Sequence, residues 1–268
     1  MKHVLITGAG SGLGKAIAQQ YVGMDVSLCI ADVNADAAQQ SAQALVSLGQ
    51  DAWSIACDIT SEKDIEALIA EVTNRWGSID VLVNNAGVAT GGALEFEDID
   101  QWQWVMNINL LGMVRMTRAC VPLMQPGAKI INIASQAGIT PIPLMGSYNA
   151  SKAAVVSFSE TMHLELAHQG IHVSVACPSF FPTNLDKSLR SKQPGIGALV
   201  SKMLSKSDMD ANQVAKAIIQ QANKGRFMIL THKDGKTAYT LKRFLPTKTY
   251  LNMIKQKTKK LMNIRGHQ

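Results

Sequence analysis

Short apolar runs, rich in β-branched residues, alternate along the chain with longer stretches of helical character. The runs lie at 3–7, 26–31, 52–57, 80–84, 129–134, 172–177 and 227–230. Because they are apolar almost without interruption, they are typical of strands that are covered on both faces. Helices are predicted at 12–23, 34–48, 61–76, 98–121, 147–168 and 210–223. This alternation predicts a doubly wound α/β fold with a seven-stranded, mainly parallel sheet and helices on both faces.

Two stretches that follow predicted strands lack a regular pattern. They are 136–146 and 178–209, and the second contains three prolines and two glycines. Ligands bind outside the carboxyl ends of the strands in an open parallel sheet, so both stretches are expected to overhang the binding edge. We expect residues 1–235 to form one main domain, and residues 236–268 to form a basic amphipathic C-terminal extension.

The positive charge of the chain is concentrated near its C-terminus. The net charge is +6, but 224–268 contains 12 Lys and Arg residues against the single acid Asp234, whereas 1–223 carries 14 basic and 19 acidic residues. From Thr249 onward the pattern predicts a basic amphipathic helix, 249–268. Two interpretations stay open: peripheral contact with an anionic membrane surface, or packing on the protein itself or on a neighbouring subunit. The chain has no recognisable nucleic-acid-binding motif, so no nucleic acid partner is expected.

Composition narrows the class of protein. No apolar run reaches 18 residues, and the N-terminal run is too short for a signal peptide, so a cytoplasmic protein is expected. The four cysteines have neither CxxC spacing nor histidines clustered near them. Buried reduced thiols are therefore expected, rather than disulfides or a metal site.

A glycine-rich turn, TGAGSGLG at 7–14, follows the first predicted strand. Its candidate ligand contacts are Gly8, Ser11, Gly12, Leu13 and Gly14. Glycines at such a turn let the backbone approach a pyrophosphate, and the helix N-terminus offers free N–H groups to its charge. Asp32 ends the second strand, where a carboxylate accepts hydrogen bonds from ribose hydroxyls and repels a 2′-phosphate. The turn therefore predicts a dinucleotide site that favours NAD over NADP.

The segment SYNASK, 147–152, places one of only four tyrosines four residues before a lysine. Four helical residues make about 400° of turn, so Tyr148 and Lys152 share a helix face. A nearby ammonium favours the phenolate and lowers the pKa of a tyrosine, which makes the pair a candidate acid–base centre. Taken alone, such a pair is also typical of a solvated helix face.

These motifs together resemble the short-chain dehydrogenase/reductase family. The resemblance rests on the spacing T-G-x-x-x-G-x-G, on Asp58 in CDIT, on NNAG at 84–87, on Asn109, Ser135, Tyr148 and Lys152, and on the segment from Pro178 to Thr183. It runs in order through roughly 1–185. It implies a Rossmann-type domain at 1–235 that binds NAD and carries catalysis, with 178–209 as its substrate loop.

The resemblance implies a catalytic tetrad of Asn109, Ser135, Tyr148 and Lys152. Tyr148 would move the proton and Ser135 would hydrogen-bond the substrate oxygen. Lys152 would hold the nicotinamide ribose, and the main chain of Asn109 would hold a water against the lysine.

The resemblance also implies cofactor contacts beyond the glycine-rich turn, Asp32, Tyr148 and Lys152. The further candidates are Asp58, Ile59, Asn85, Ala86, Gly87, Pro178 and Thr183. Asp58 would bond the adenine amino group, and Thr183 would bond the nicotinamide carboxamide. The alternatives for these two residues are a helix cap and an ordinary turn. The family usually has Pro-Gly where this chain has Pro178-Ser179, so an altered cofactor geometry or substrate shape is expected.

The expected function is NAD(P)-dependent, reversible hydride transfer between an alcohol and a ketone, with NAD favoured. Apolar side chains in 136–146 and 178–209 favour a lipophilic substrate of steroid, retinoid or long-chain type. The alternative is that these side chains pack only on one another. A non-catalytic nucleotide-binding redox sensor or scaffold of the same fold is the alternative. The resemblance further implies a homodimer or homotetramer joined through the helices at 98–121 and 147–168.

Overall fold

A computed structural model describes residues 1–262 and contains a seven-stranded sheet in that part of the chain. The strands are β1 (Lys2–Thr7), β2 (Val26–Asp32), β3 (Asp51–Ala56), β4 (Ile79–Asn84), β5 (Met124–Ile133), β6 (His172–Ala176) and β7 (Met228–Ile229). Their order is β3-β2-β1-β4-β5-β6-β7, and every neighbouring pair is parallel. The predicted doubly wound sheet is confirmed.

Helices connect these strands. They are α1 (Gly12–Gln19), α2 (Ala35–Val46), α3 (Glu62–Arg75), α4 (Ile99–Met106), α5 (Met113–Cys120), α6 (Gln136–Ile139), α7 (Gly146–Leu166), α8 (Ile196–Leu204), α9 (Ala211–Asn223), α10 (Lys233–Phe244) and α11 (Thr247–Met262). The helix predicted at 98–121 is α4 and α5, joined by a wider π-helical turn at Asn107–Gly112. Neither of the two stretches without a regular pattern is irregular throughout, because 136–146 contains α6 and 178–209 contains α8.

Successive strand residues point to opposite faces of the sheet, and this alternation divides the core into two layers. Val4 and Ile6 of β1 pack in one layer with residues of α1, α2 and α9. Leu5 packs in the other layer with residues of α3 and α5. The four cysteines are free and buried, as expected from their spacing.

The course of the chain places a cleft at one edge of the sheet. From β1 the chain proceeds outward to β2 and β3, and it then crosses back to β4 on the other side of β1. The loops that follow β1 and β4 therefore diverge, and ligands of such sheets bind between them.

The C-terminal segment forms two helices, α10 and α11. The helix predicted from Thr249 corresponds to α11, and residues 263–268 of the predicted extension lie outside the described residues. Within 1–262, no helix is both long and apolar enough to cross a membrane.

Candidate active site

A cavity of about 750 Å³ opens at the carboxyl ends of the strands. Its volume falls in the range of small-molecule and cofactor sites. The predicted site residues that line it are Gly8, Ser11, Gly12, Leu13, Asp32, Asp58, Ile59, Asn85, Ala86, Gly87, Ser135, Tyr148, Lys152, Pro178 and Thr183. Two predicted residues, Gly14 and Asn109, lie behind the wall rather than on it.

Gly14 serves the packing of the glycine-rich turn. A Cβ at this position would lie 2.3 Å from the carbonyl oxygen of Gly8 and 2.5 Å from Nδ2 of Asn85. That Nδ2 atom donates to the carbonyl oxygens of Thr7 and Gly8, at 3.0 and 2.9 Å, and so braces the turn. Gly12 differs, because its φ is +53° and a Cβ there would meet no atom within 4 Å. The turn therefore presents open backbone to the cavity at Gly12.

Asp32 lies at the end of β2 with acceptor capacity to spare. Its Oδ2 accepts from the N–H of Gly10 at 2.9 Å, and its Oδ1 accepts from the N–H of Asn34 at 3.0 Å. A carboxylate offers about four acceptor positions, so two remain for a ligand. Among the described residues, Lys152 is the only lysine or arginine of the lining. The end of the cavity at Asp32 suits a ribose diol better than a phosphate.

Asp58 and Ile59 line the cavity after β3. Oδ1 of Asp58 accepts from the N–H and the hydroxyl of Thr60, both at 2.8 Å, so this carboxylate stabilises its own turn. The helix cap considered as the alternative for Asp58 falls instead to Ser61, whose side chain accepts from the N–H of Asp64 at the start of α3. Oδ2 of Asp58 has no hydrogen-bond partner among the contacts described. After β4, the N–H groups of Asn85 and Ala86 donate to the Thr7 hydroxyl, at 3.0 and 3.2 Å. These contacts hold the loop after β4 against β1.

Tyr148 is buried, with 5% of its surface exposed. Burial raises the pKa of its phenol, and hydrogen bonding to Ser135 acts in the opposite direction. Ser135 lies just beyond β5, where its hydroxyl oxygen also accepts from the N–H of Ala137 at 3.1 Å and caps α6. The sequence predicts that Lys152 lowers the pKa of Tyr148. In the structure that pKa is raised instead, because the loss of hydration on burial outweighs the hydrogen bond with Ser135.

Lys152 is 4% exposed, one turn after Tyr148 on α7. Its ammonium donates to the carbonyl oxygen of Ile133 at 3.0 Å, and burial lowers its pKa from 10.5 to about 8. A Cβ at Gly87 would lie 3.3 Å from Nζ, so the loop after β4 passes close beside the ammonium. At neutral pH this lysine is still mostly a cation.

Asn109 is fully buried in the π-helical turn. Its side chain accepts from the N–H of Val88 at 2.8 Å, and it donates to the carbonyl oxygen of Val88 and to the Ser151 hydroxyl, both at 3.0 Å. It therefore ties the loop after β4 to α7, and any direct role in a proton relay would fall to its main chain.

The loop after β6 completes the wall. The carbonyl oxygen of Pro178 accepts from the N–H of Gln136 at 2.8 Å. The N–H of Ser179, the residue that departs from the family pattern, lies 3.3 Å from Nδ1 of His232. Thr183 lines the cavity, and its hydroxyl accepts from the N–H of Leu185 at 3.2 Å, so it also makes the turn contact that was its alternative.

Sequence reasoning missed the contribution of α10. Residues of its first two turns, Asp234, Gly235 and Ala238, line the cavity. The side-chain amide of Gln136 donates to the carbonyl oxygen of Gly235 at 3.1 Å, which fixes α10 beside Ser135. In the sequence, the only indication of this contact is that Gln136 directly follows the candidate serine, Ser135. Other lining residues that were not predicted include Trp104, Thr140, Ile142, Phe180 and Leu204.

Comparison with known proteins points to one family. The sequence model described as short chain dehydrogenase matches residues 2–194. Sorbitol dehydrogenase of Cereibacter sphaeroides is 38% identical over 180 residues, which cover 66% of this chain and 69% of that protein. The 3-oxoacyl-(acyl-carrier-protein) reductase FabG of Vibrio harveyi is 31% identical over 222 residues, covering 81% of this chain and 88% of that protein.

A solved structure is similar over nearly the whole fold. The short-chain dehydrogenase/reductase from Burkholderia phymatum, crystallised in complex with NAD, superimposes with a TM-score of 0.85 at 31% identity. The similarity covers 90% of this chain and 92% of that one. With a family match over most of the chain and a sheet of the same architecture, this protein belongs to the short-chain dehydrogenase family.

Proposed function

We propose that this NAD(P)-dependent oxidoreductase interconverts a lipophilic alcohol and its ketone or aldehyde, with NAD as cofactor. The observation that supports this most strongly is the shared cavity. Ser135, Tyr148 and Lys152 line it together with the glycine-rich turn and Asp32. A dinucleotide held along the turn would therefore have its reactive end beside a buried phenol.

In this proposal the residues of the chain handle the oxygen and its proton. The bound nicotinamide supplies or accepts the hydride. Ser135 donates a hydrogen bond to the substrate oxygen, and Tyr148 gives that oxygen a proton in reduction or removes one in oxidation. Lys152, with a pKa of about 8, keeps a positive charge near the phenol at neutral pH and stabilises the phenolate.

The preference for NAD is supported by Asp32. Its carboxylate is fixed by two backbone N–H groups, and its spare acceptor positions suit the two hydroxyls of an adenosine ribose. A 2′-phosphate at the same place would meet like charge, with no arginine in the described lining to offset it.

The lipophilic substrate class is supported by the side of the cavity nearest Tyr148. The apolar side chains on this side of the cavity or on the wall next to it are those of Ile142, Phe180, Leu185 and Leu204. Ala238 of α10 adds a further apolar side chain to the lining. The two relatives above are named for quite different substrates, a polyol and an acyl carrier protein derivative. The substrate class of this chain therefore rests on its own lining.

A panel of lipophilic and polar alcohols and ketones, assayed with NAD(H) and NADP(H) at the absorbance band of reduced nicotinamide, tests the proposal. Lipophilic compounds should be turned over with NAD(H), and Tyr148→Phe should abolish turnover while NAD still binds. Tyr239→Phe is the matched control, because Tyr239 does not line the cavity. Turnover of polar substrates alone would contradict the lipophilic class, and an active Tyr148→Phe variant would contradict the mechanism.

We also propose that the basic C-terminal helix contacts anionic membrane surfaces, close to a source of lipophilic substrate. Lys255 and Lys259 of α11 are exposed, as are the apolar side chains of Phe244, at 77%, and Leu251, at 55%. Sedimentation with phosphatidylserine vesicles at low salt should capture the protein, and high salt should release it. Lys255→Glu combined with Lys259→Glu should prevent capture, and absence of capture of the unmodified protein at low salt would contradict this proposal.

We further propose a homo-oligomer joined through α4, α5 and α7. Leu111, in the turn between α4 and α5, is 45% exposed, and Leu164 on α7 is 75% exposed. Exposed apolar side chains on these helices suit an interface between copies. Light scattering should give a multiple of the chain mass, and Leu164→Glu should reduce it; a monomer at micromolar concentration would contradict the proposal.

A further inference from the structure

Glu97 is a buried carboxylate that does not line the active-site cavity. It is 5% exposed, and no cation lies within ion-pair distance of it in the part of the chain that the structure describes. Its Oε2 accepts from the main-chain N–H of Ser147 at 2.9 Å, and its Oε1 accepts from the Ser147 hydroxyl, also at 2.9 Å. Oε1 also accepts from the side-chain amide of Gln101 at 3.4 Å. A buried charge needs such partners, and each carboxylate oxygen accepts from the residue before Tyr148.

Helix α7 begins without a cap of its own. Met145 precedes the first helical residue and offers no side-chain acceptor. The free N–H groups of a first turn need acceptors, and the N-terminal end of a helix favours negative charge. Glu97, which lies 50 positions before Ser147 in the sequence, supplies both the acceptor and the negative charge. Gly146 permits this approach, because a Cβ there would lie 2.9 Å from Oε2.

The hydroxyl protons around Ser147 have one consistent arrangement. Ser147 has a single hydroxyl proton, and an ionised carboxylate can only accept, so that proton goes to Glu97. The hydroxyl oxygen of Thr90 lies 2.7 Å from that of Ser147, and Thr90 is therefore the donor of this pair. The resulting chain, from Thr90 through Ser147 to Glu97, joins the segment after β4 to the start of α7.

A second contact holds the same turn. Leu144, just before α7, has a φ of +64°, in the left-handed region that residues with side chains rarely adopt. Its carbonyl oxygen accepts from the N–H of Gly92 at 2.8 Å, and Gly92 pairs with Met145 as an isolated bridge. Such a backbone persists only where its neighbours fix it, so residues 90–97 hold the entry to α7 in one conformation.

We propose that Glu97 is a positioning residue for Tyr148, acting through Ser147 at the first turn of α7. This inference rests on the proposed acid–base role of Tyr148. A shift of the first turn moves the phenol away from Ser135, whereas Lys152, one turn further on, keeps its own bond to Ile133. Loss of Glu97 therefore lowers kcat and leaves the binding of NAD unchanged.

Glu97→Ala in the full-length protein removes both acceptors. A displacement of about 1 Å at a catalytic group costs up to about 100-fold in rate, so kcat should fall by about 10- to 100-fold. The dissociation constant of NAD, measured by titration, should stay the same. An unchanged kcat in the folded variant would overturn the proposal.

Gly146→Ala tests the contact against simple helix stability. Alanine is the better helix former, but its Cβ would displace the carboxylate from Ser147. A lower kcat at an unchanged or higher melting temperature supports the proposal, and an unchanged kcat contradicts it. This variant also decides the question if Glu97→Ala does not fold.

Glu97→Gln separates position from charge. Its amide oxygen can accept from the Ser147 N–H, and its amide nitrogen can donate to the Ser147 hydroxyl oxygen, whose proton then turns toward Thr90. The amide of Gln101, which donates to Oε1 in the unmodified protein, must turn over so that its oxygen faces the new amide nitrogen. This variant should keep most of kcat. A loss as large as that of the alanine variant would contradict positioning, because the negative charge itself would then be the cause.

Asp210→Ala is the matched control for loss of a carboxylate cap. Asp210 accepts from the N–H of Gln213 at 2.8 Å at the start of α9, and it does not line the cavity. Its loss should lower the melting temperature without changing kcat. An equal loss of kcat in Glu97→Ala and Asp210→Ala would show that the loss comes from general destabilisation of the fold, and it would overturn the proposal.

A measurement without turnover separates this inference from the proposed function. The chain has four tyrosines, so fluorotyrosine labelling gives four ¹⁹F resonances, and Tyr148→Phe assigns one of them. That resonance should shift in Glu97→Ala and stay in place in Asp210→Ala. If the protein turns over no substrate and the shift is seen, the positioning is supported and the function fails; if no shift is seen, the positioning fails.

Discussion

The ammonium nitrogen of Lys152 lies 3.0 Å from the carbonyl oxygen of Ile133, the last residue of β5. Ser135 follows two residues later, so this bond fixes the lysine of α7 against the strand that leads to the candidate serine. This hydrogen bond replaces only part of the hydration that the ammonium loses on burial, and the burial lowers the pKa of Lys152 to about 8. The site therefore holds a destabilised cation where the proposed mechanism uses one.

Replacement of Lys152 by methionine should raise the stability of the protein and abolish its turnover. A pKa lowered from 10.5 to about 8 corresponds to roughly 3 kcal/mol of penalty on the charged form. Loss of the hydrogen bond that the charged ammonium donates to Ile133 offsets about 2 kcal/mol of the gain. We expect Lys152→Met to increase the free energy of unfolding by about 1 kcal/mol at pH 7, as measured by urea denaturation.

The pH dependence of this gain has a definite sign. Between pH 8 and 10.5 the unfolded chain binds more protons at Lys152 than the native protein does. The unmodified protein therefore gains stability across that window as pH rises, and the advantage of the methionine variant is full below pH 8 and lost above 10.5. Lys242→Met is the control, because Lys242 also donates to a carbonyl oxygen but is exposed. A variant less stable than the unmodified protein at pH 7 would refute the prediction.

Ser135→Ala should move the titration of Tyr148 to higher pH. Burial raises the pKa of the phenol, and the hydrogen bond from Ser135 is the influence that lowers it. Reduction of a ketone needs the protonated phenol and the charged Lys152, so its kcat/KM should be flat at neutral pH and fall in two steps, first above the pKa of about 8 of Lys152 and then above the pKa of Tyr148. In Ser135→Ala the second step should begin at higher pH while the first stays in place, and kcat should drop by about 100-fold through loss of a hydrogen bond to the substrate oxygen.

Ser135→Thr keeps a hydroxyl at the same position and is the control for this experiment. Its alkaline limb should lie close to that of the unmodified protein. A limb that moves to lower pH in Ser135→Ala would show that the bond from Ser135 favours the neutral phenol, contrary to the prediction.

Several of the predicted site residues that line the cavity lie at strand ends, which the sequence pattern makes visible. Each strand is apolar over most of its length, so its end is visible, and parallel strands bring their carboxyl ends to one edge. Gly8, Asp32, Asp58 and Ser135 lie at or just beyond the ends of four strands, and all four line the cavity. Helical spacing places Tyr148 and Lys152 on one helix face, and the resemblance to the family, rather than the spacing alone, makes them site candidates.

Other features depend on the tertiary structure. The contact of Gln136 with Gly235 joins residues 99 positions apart, and no periodicity predicts how α10 docks. Glu97 lies in a stretch with several acids, where a carboxylate is expected to be solvated, yet it is buried. The pKa of Tyr148 shows the same limit, because sequence reasoning included the charge of Lys152 but not the loss of hydration in the folded protein.

Gly12 and Gly14 should respond differently to alanine, although both belong to the glycine-rich turn. A Cβ at Gly14 would collide with backbone at 2.3 Å, so Gly14→Ala should cost about 2 kcal/mol or more of unfolding free energy. A Cβ at Gly12 has open space but a φ of +53°, so Gly12→Ala should cost about 1 kcal/mol. It should weaken NAD binding more than it weakens the fold, because its methyl group projects into the cavity.

Urea denaturation and NAD titration of both variants measure the two effects side by side. The unmodified protein with saturating NAD controls for stabilisation by the ligand. A larger loss of stability in Gly12→Ala than in Gly14→Ala would contradict the packing of the turn described above.

Asp32 should set the choice between NAD and NADP. Its carboxylate can accept from both ribose hydroxyls but repels a 2′-phosphate, so the unmodified protein should have at least about tenfold higher kcat/KM with NAD. Asp32→Asn removes the charge, while its amide oxygen can still accept from the N–H of Gly10 or Asn34. We expect this variant to lose most of the discrimination, through weaker use of NAD and better use of NADP.

Asp58→Asn is the matched control, because Asp58 is a second carboxylate of the cavity lining, just beyond the end of β3. Its substitution removes the same charge from the same cavity but from the proposed adenine site. It should weaken both cofactors alike and leave their ratio unchanged, because the adenine is common to NAD and NADP. Equal kcat/KM with the two cofactors in the unmodified protein would show that Asp32 does not discriminate between NAD and NADP at the adenosine ribose. An equal change in the NAD to NADP ratio of kcat/KM in both variants would show the same.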